Sequence, residues 1–283
     1  MPGTGVWTPD HLGSEPRDKH QPKGKFDMKF DSDVGRLQRR MAASIAGMSR
    51  RQAILDDLVI NSGETIIDVG CGAGHLLGHL AKAVGDAGTV FGLDPGEDQL
   101  AQAKTDCEEF TNITFLLRNA DDTGLENDIC DVATSTQALE YISDVDAALT
   151  EITRVLRPGG GFVNISILWD HFRFHGAEPR LNNRIHDAFR AHCHHQMLPM
   201  ELPGKLASLG YRHIKDKSLA FVITRRDQNS PGRYTESVMA NFAISQGVPE
   251  DEVVAWRSQL EKAEDEGRFG FTSFPVLTSA YFG

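Results

Sequence analysis

Nowhere in these 283 residues do apolar side chains run for the roughly 18 positions that a membrane-crossing helix requires. The four cysteines, Cys71, Cys107, Cys130 and Cys193, form no CxxC pair. A chain this long needs no disulfide staple, so they read as reduced cytosolic thiols. An excess of positive charge is also lacking: 29 Lys and Arg stand against 40 Asp and Glu, for a net charge of −11. Such a chain repels a phosphate backbone unless its basic residues segregate on one face, and here they are dispersed in pairs such as Arg39-Arg40, Arg50-Arg51 and Arg225-Arg226. Nucleic acid and membrane are therefore not expected partners, and a small molecule is. The first 25 residues have no apolar core of the signal-peptide kind, so the expected location is the cytoplasm.

What is present is ordinary for a globular enzyme, with 40% hydrophobic and 24% charged residues. Residues 1–25 are rich in Gly, Pro and charge without any period, which predicts a mobile leader. The remainder, 26–283, reads as one large α/β unit: 26–168 as its ligand-binding half, and 169–283 as a cap plus the closing sheet strands.

Helical spacing over 33–58 predicts one or two helices, closed by Asn61-Ser62-Gly63. Strands are then expected at 65–69, 89–94, 113–118, 131–136 and 161–168, with helices at 75–84, 98–110 and 144–156 between them. Apolar strands alternating with amphipathic helices predict a doubly wound, Rossmann-like, mostly parallel sheet covered by helices on both faces. Beyond Leu168 the rhythm breaks. Helices are expected at 181–196, 202–209, 234–246 and 249–266, and strands at 219–224 and 269–280.

The stretch "IIDVGCGAGH" (66–75) ends an apolar strand with a carboxylate and then sets a glycine at every second position. A loop between a buried strand and a helix N-terminus presents backbone N–H groups to a ligand. The dinucleotide fingerprint G-x-G-x-x-G fails here, because its third glycine would fall on His75. The pattern present is D-x-G-x-G-x-G, from Asp68 through Gly70, Gly72 and Gly74. A carboxylate at that strand end disfavours pyrophosphate and suits a cationic ligand without phosphate, such as S-adenosylmethionine. Asp94 ends the second strand twenty residues beyond Gly74, where an acid can accept from ribose hydroxyls. Asn119, Ala120 and Asp121 follow the third strand, and Thr136, Gln137 and Tyr141 lie at the end of the fourth.

With "VFGLDPGEDQLAQAK", "RNADD", "CDVATSTQALEYISD" and "ALTEITRVLRPGGGFV", this stretch resembles the class I S-adenosylmethionine-dependent methyltransferases, especially their quinone, sterol and arsenite methylators. The likeness spans about residues 60–168 and implies a seven-stranded sheet, with the cap inserted after strand five. It further implies that Asp68, Gly70, Cys71, Gly72 and Gly74 hold the methionine portion, Asp94 with Pro95 the ribose, Asn119 and Ala120 the adenine, and that Gln137 lines the same site. Many relatives have Asp where Asn119 stands.

The methyl acceptor is expected to be a small molecule attacking through O, N, S or C. Its side of the site draws on Tyr141, Trp169, Phe172 and the histidines at 171, 175, 186, 192, 194 and 195. Tyr141, His171 and His175 are the catalytic candidates, the two histidines because they follow the fifth strand directly. No metal is expected: within His192-Cys193-His194-His195 only residues 192 and 195 share a helix face, and no second cluster supplies further ligands. The cysteines form no thiolate trio of the arsenite-methylating kind. The alternatives are an NAD-dependent oxidoreductase and a non-catalytic adenosyl-binding scaffold. A homodimer stays open.

Overall fold

The computed structural model describes residues 44–227 and 230–283. The expected leader, 1–25, and the first part of the helical stretch 33–58 lie outside the described residues. Helix α1 (Ile45–Asp57) is N-capped by the Ser44 hydroxyl, which accepts from the Gly47 N–H at 3.2 Å.

The runs rich in Val, Ile, Leu and Thr fold as strands β1 (Thr65–Val69), β2 (Thr89–Asp94), β3 (Ile113–Leu117) and β4 (Cys130–Thr136). Between them lie α2 (Leu77–Val84), after β1, and α3 (Glu97–Asp106), after β2. Helix α4 (Val145–Val155) buries Val145, Ala148, Leu149, Ile152 and Val155, a single face at 3–4-residue spacing, and the Asp144 carboxylate caps it by accepting from the Ala147 N–H at 2.9 Å. It leads into β5 (Leu156–Ile167), which is longer than its apolar core 161–168 predicts.

The downstream half contains β6 (Arg173–His175), α5 (Pro179–Phe189), α6 (Leu198–Ser208), β7 (Tyr211–Ser218), β8 (Phe221–Ile223), α7 (Pro231–Ser245), α8 (Glu250–Asp265), β9 (Gly270–Ser273) and β10 (Pro275–Phe282). The large sheet has seven strands in the order β3-β2-β1-β4-β5-β10-β7. All are parallel except β10, which runs antiparallel to both β5 and β7. A three-stranded sheet, β6-β9-β8, stands beside it.

Three apolar clusters fill the layers. One packs Ile67, Phe162 and Leu149 with α6 on one sheet face, and the second packs Ile66, Leu77, Leu80 and Val90 with Ile54 of α1 on the other. The third joins Phe174, Phe271 and Trp256 in the cap. The cap is assembled from two stretches: residues 169–196 follow β5, and 219–274 lie between β7 and β10, while α6, β7 and β10 return to the large sheet.

Several expected elements differ from those observed. The helix expected over 181–196 begins at Pro179, its first turn capped by the Glu178 carboxylate, and gives way to a 3-10 turn at Arg190–His192. The strand expected over 269–280 is two strands in different sheets, parted at Phe274. Strands β6 and β7 were not expected. β7 is an edge strand with alternating charge and almost no burial, so it carries no apolar run to mark it.

Candidate active site

The carboxyl ends of β1, β2 and β4 meet around the glycine loop. Gly70, Gly72 and Gly74 take φ values of +73°, +54° and +77°, a left-handed backbone that only glycine adopts freely. Gly70 is further constrained because a Cβ there would stand 2.2 Å from the Ala138 Cβ. The N–H groups of Gly70 and Cys71 donate to the Leu93 carbonyl at 2.8 and 2.9 Å, tying the loop to the end of β2. Asp94 then accepts from the Gly72 N–H at 2.9 Å and from the Gly96 N–H at 2.8 Å, one on each carboxylate oxygen.

Two acids stand close together here. Asp68 is buried and accepts from the Thr134 hydroxyl at 2.8 Å. Burial lifts its carboxyl to about 7, and the charge of Asp94 pushes the same way. Burial also raises Asp94, against the pull of its two backbone N–H donors. A cation beside them would favour the ionised forms of both. The Cys71 thiol, between the same acids, is pushed up by burial and is no nucleophile.

A second group of polar side chains gathers beyond β4. Gln137 has φ +52° and donates its backbone N–H to the Ile165 carbonyl at 2.7 Å. Its side-chain oxygen accepts from Nη1 of Arg50, which reaches in from α1. Arg50 is only 6% exposed, its Nε has no hydrogen-bond partner, and burial lowers it to about 10 although Glu140, Tyr141 and Tyr234 pull the other way. Glu140 is fully buried, accepts from the Ser166 hydroxyl at 2.8 Å and is lifted to about 7 by burial. Tyr141 packs edge-on against Trp169 and His192, with ring centroids 6.5 and 5.8 Å away, and burial raises its hydroxyl.

Asp68, Gly70, Cys71, Gly72, Gly74 and Asp94 thus form one loop system, with Gln137 and Tyr141 on the turn that Ala138 presses against it. Pro95 is exposed beside Asp94, and at the end of β3 Ala120 is buried while Asn119 is exposed. His171 and His175 are both exposed; the first packs its ring 6.0 Å from Phe274, and the second pairs through β6 with Gly270. His171 closes the 3-10 turn Trp169–His171 directly after β5 and His175 ends β6, while the histidine that packs on Tyr141 is His192.

The other histidines have local partners. His186 accepts from the Phe174 N–H at 3.1 Å and is lowered to about 3 by burial, and His195 Nε2 lies 2.9 Å from the Ile142 carbonyl. Among the described residues no group of His, Cys, Asp and Glu could hold a metal ion. Arg50, Thr134, Glu140 and Tyr234 are site features missed in the sequence. None carried a sequence signal of its own: Arg50 stands in the sequence only as one of a pair of cations with Arg51, and its burial is visible in the fold alone.

Comparison with known proteins now bears on this geometry. Residues 60–222 match the family model described as a methyltransferase domain. An uncharacterized 37.1 kDa protein in transposon TN4556 of Streptomyces fradiae is 34% identical over 145 residues, which is 51% of this chain and 42% of that protein. The demethylmenaquinone methyltransferase of Staphylococcus saprophyticus is 33% identical over 113 residues, 40% of this chain and 48% of the enzyme. The chain therefore spans under half the length of these curated relatives. Among solved structures, the YcgJ protein of Bacillus subtilis superposes with a TM-score of 0.58 at 19% identity, covering 83% of this chain and 98% of that one. Phosphoethanolamine N-methyltransferase 2 of Haemonchus contortus, in complex with S-adenosyl-L-methionine, gives 0.60 at 17% identity, covering 90% and 58%. The two structural likenesses show the fold. Among the described residues no helix is long and apolar enough to cross a membrane.

Proposed function

The chain belongs to the methyltransferase-domain family, and on that premise we propose that it transfers a methyl group from S-adenosylmethionine to a small-molecule acceptor in the cytoplasm. The observation that carries this reading is the buried Asp68 in front of three left-handed glycines, with Asp94 bound to the same loop. The two acids repel a pyrophosphate and favour a sulfonium or ammonium. His75 occupies the place of the third dinucleotide glycine, which further argues against NAD.

S-adenosylmethionine supplies an activated methyl on a sulfonium. The chain's own work is positioning. Gly70 to Gly74 let the backbone touch the methionine portion, and Asp94 keeps lone pairs for the ribose hydroxyls after its two backbone bonds. Ala120 and Asn119 meet the adenine. Arg50, a buried cation with an unpartnered Nε, offers a counter-charge to the methionine carboxylate. Gln137 and Tyr141 border the path along which acceptor and methyl must align, and the cap excludes water. Alignment of this kind lowers a displacement barrier by roughly 7–11 kcal/mol. His171 and His175, both exposed, have no part in this reading.

Residues 26–168 supply the cofactor-binding half, and 169–283 the cap and closing strands. The net charge of −11 supports a small acceptor over nucleic acid. The test is release of S-adenosylhomocysteine against a metabolite library. Turnover with at least one small acceptor is expected; no release with any, together with no binding of S-adenosylmethionine, overturns the reading.

A further inference from the structure

Arg50 is a cation that the fold buries and hands to a neutral partner. Its guanidinium enters from α1 toward the turn after β4, and Nη1 donates to the side-chain oxygen of Gln137. The acid whose charge reaches it, Glu140, gives one carboxylate oxygen to the Ser166 hydroxyl at 2.8 Å and the other to the Ile167 N–H at 3.4 Å. Nε of Arg50 is left buried with no hydrogen-bond partner. Gln137, Tyr141 and Tyr234 beside it are only half-buried, so this side of the turn is open to solvent.

Gln137 is held in place for the contact. Its φ of +52° is left-handed, a region that a residue with a side chain enters only where its surroundings impose it, and its N–H donates to the Ile165 carbonyl at 2.7 Å. The next residue, Ala138, leaves no room for a Cβ at Gly70, so the same turn is registered on the glycine loop. Gln137 thus presents its amide oxygen to Arg50 at a fixed place beside that loop. The neutrality of the amide is what matters. An acid at this position would pair with the guanidinium and cancel its charge, whereas an amide oxygen directs the guanidinium and leaves the charge uncompensated.

We propose that Gln137 is a positioning residue that sets donor specificity: by holding Arg50 through a neutral amide, it keeps a directed cation beside the glycine loop, so that the site selects donors carrying the methionine carboxylate. This rests on the role given to Arg50 above. Gln137 acts through Arg50, and the bond it prepares is a charge-assisted one, about twice as strong as a bond between neutral groups.

The test is an isosteric exchange, Gln137→Glu, read as affinity for S-adenosylmethionine relative to its decarboxylated analogue, by titration calorimetry on the full chain shown by its melting curve to be folded. Glutamate keeps the shape and the acceptor that Arg50 uses, and beside a guanidinium it stays ionised. Were Gln137 a structural anchor alone, the exchange would leave the preference unmoved. The wild type should favour S-adenosylmethionine about tenfold or more, the effect of one hydrogen bond between charged groups, and Gln137→Glu should bind both ligands about equally. Should that variant not fold, Gln137→Met decides: without the amide Arg50 is no longer aimed, and the preference should fall about threefold or more. A wild-type preference that Arg50→Met abolishes and the Gln137 exchange keeps overturns this proposal and leaves the role of Arg50 standing. A wild type without the preference overturns both.

Discussion

Asp94 accepts the Gly72 N–H at 2.9 Å, so the acid that ends β2 holds in place the loop that follows β1. Its other oxygen holds Gly96 at 2.8 Å, ahead of α3. Asp94→Ala therefore acts twice. It leaves two backbone N–H groups to find other partners, a loss of about 1–3 kcal/mol, and it removes the acceptor for the ribose. Affinity for S-adenosylmethionine should fall by at least about tenfold by calorimetry, in protein shown by its melting curve to be folded. Unchanged affinity would refute the ribose role.

Gly70 makes a separable prediction. Gly70→Ala carries a left-handed backbone penalty of about 1–2 kcal/mol and an overlap with Ala138 of about 1–3 kcal/mol. Adding Ala138→Gly should relieve only the overlap. Denaturant melts of the single and double variants read the two contributions apart, and a double variant no more stable than Gly70→Ala alone would contradict the contact.

Arg50 should distinguish ligands by one group. The wild type is expected to bind S-adenosylmethionine more tightly than its decarboxylated analogue, and Arg50→Met should bind the two about equally. If the preference survives in Arg50→Met, the carboxylate has another partner.

Asp68 links the site to pH. Its folded carboxyl titrates near 7, against about 3.9 for an ordinary aspartate. Between those values the folded chain holds a proton that the unfolded chain has lost. The group's contribution to stability is therefore complete below about pH 4 and is lost as pH rises toward 7. Glu140, also lifted to about 7, acts in the same direction. Asp68→Asn should flatten part of that decline in melting temperature. A cationic ligand favours the ionised carboxylate, so binding of S-adenosylmethionine at pH 6 should release protons. Binding enthalpies that differ between buffers of different ionisation enthalpy would show this, and equal enthalpies would exclude it.

The cap depends on a buried ion pair. Nε and Nη2 of Arg226 donate to the two oxygens of Glu236 at 2.8 and 2.9 Å, and Arg257 adds a bond at 3.0 Å. Arg226→Met leaves Glu236 with Arg257 alone and should destabilise the cap by about 3–5 kcal/mol. Hydrogen exchange should quicken in α7 and α8 before it changes in β1 or β4; uniform exchange would contradict an effect confined to the cap.

The strands from β1 to β5 were legible in the sequence because each is an apolar run between turn residues, and the D-x-G-x-G-x-G spacing marked the loop. The cap was not legible in the same way. Apolar letters continue from Phe269 to Phe282 and hide the change of sheet at Phe274: β9 buries alternate residues and β10 is buried along most of its length, so neither pattern marks the break. His171 and His175 stood out by their place after β5, but a place in the sequence does not say which side chains a 3-10 turn and a short strand leave exposed, as both of these are. Arg50 and Glu140 left little trace because a buried charge has the same letter as an exposed one. Only the fold shows that α1 and the turn after β4 enclose them.

The central claim is that the Asp68 glycine loop binds a cationic adenosyl ligand without phosphate. Titration calorimetry of the full chain against S-adenosylmethionine, S-adenosylhomocysteine and NAD tests it most directly. Binding of the first two and none of NAD is predicted; binding of NAD with neither of the others would contradict it.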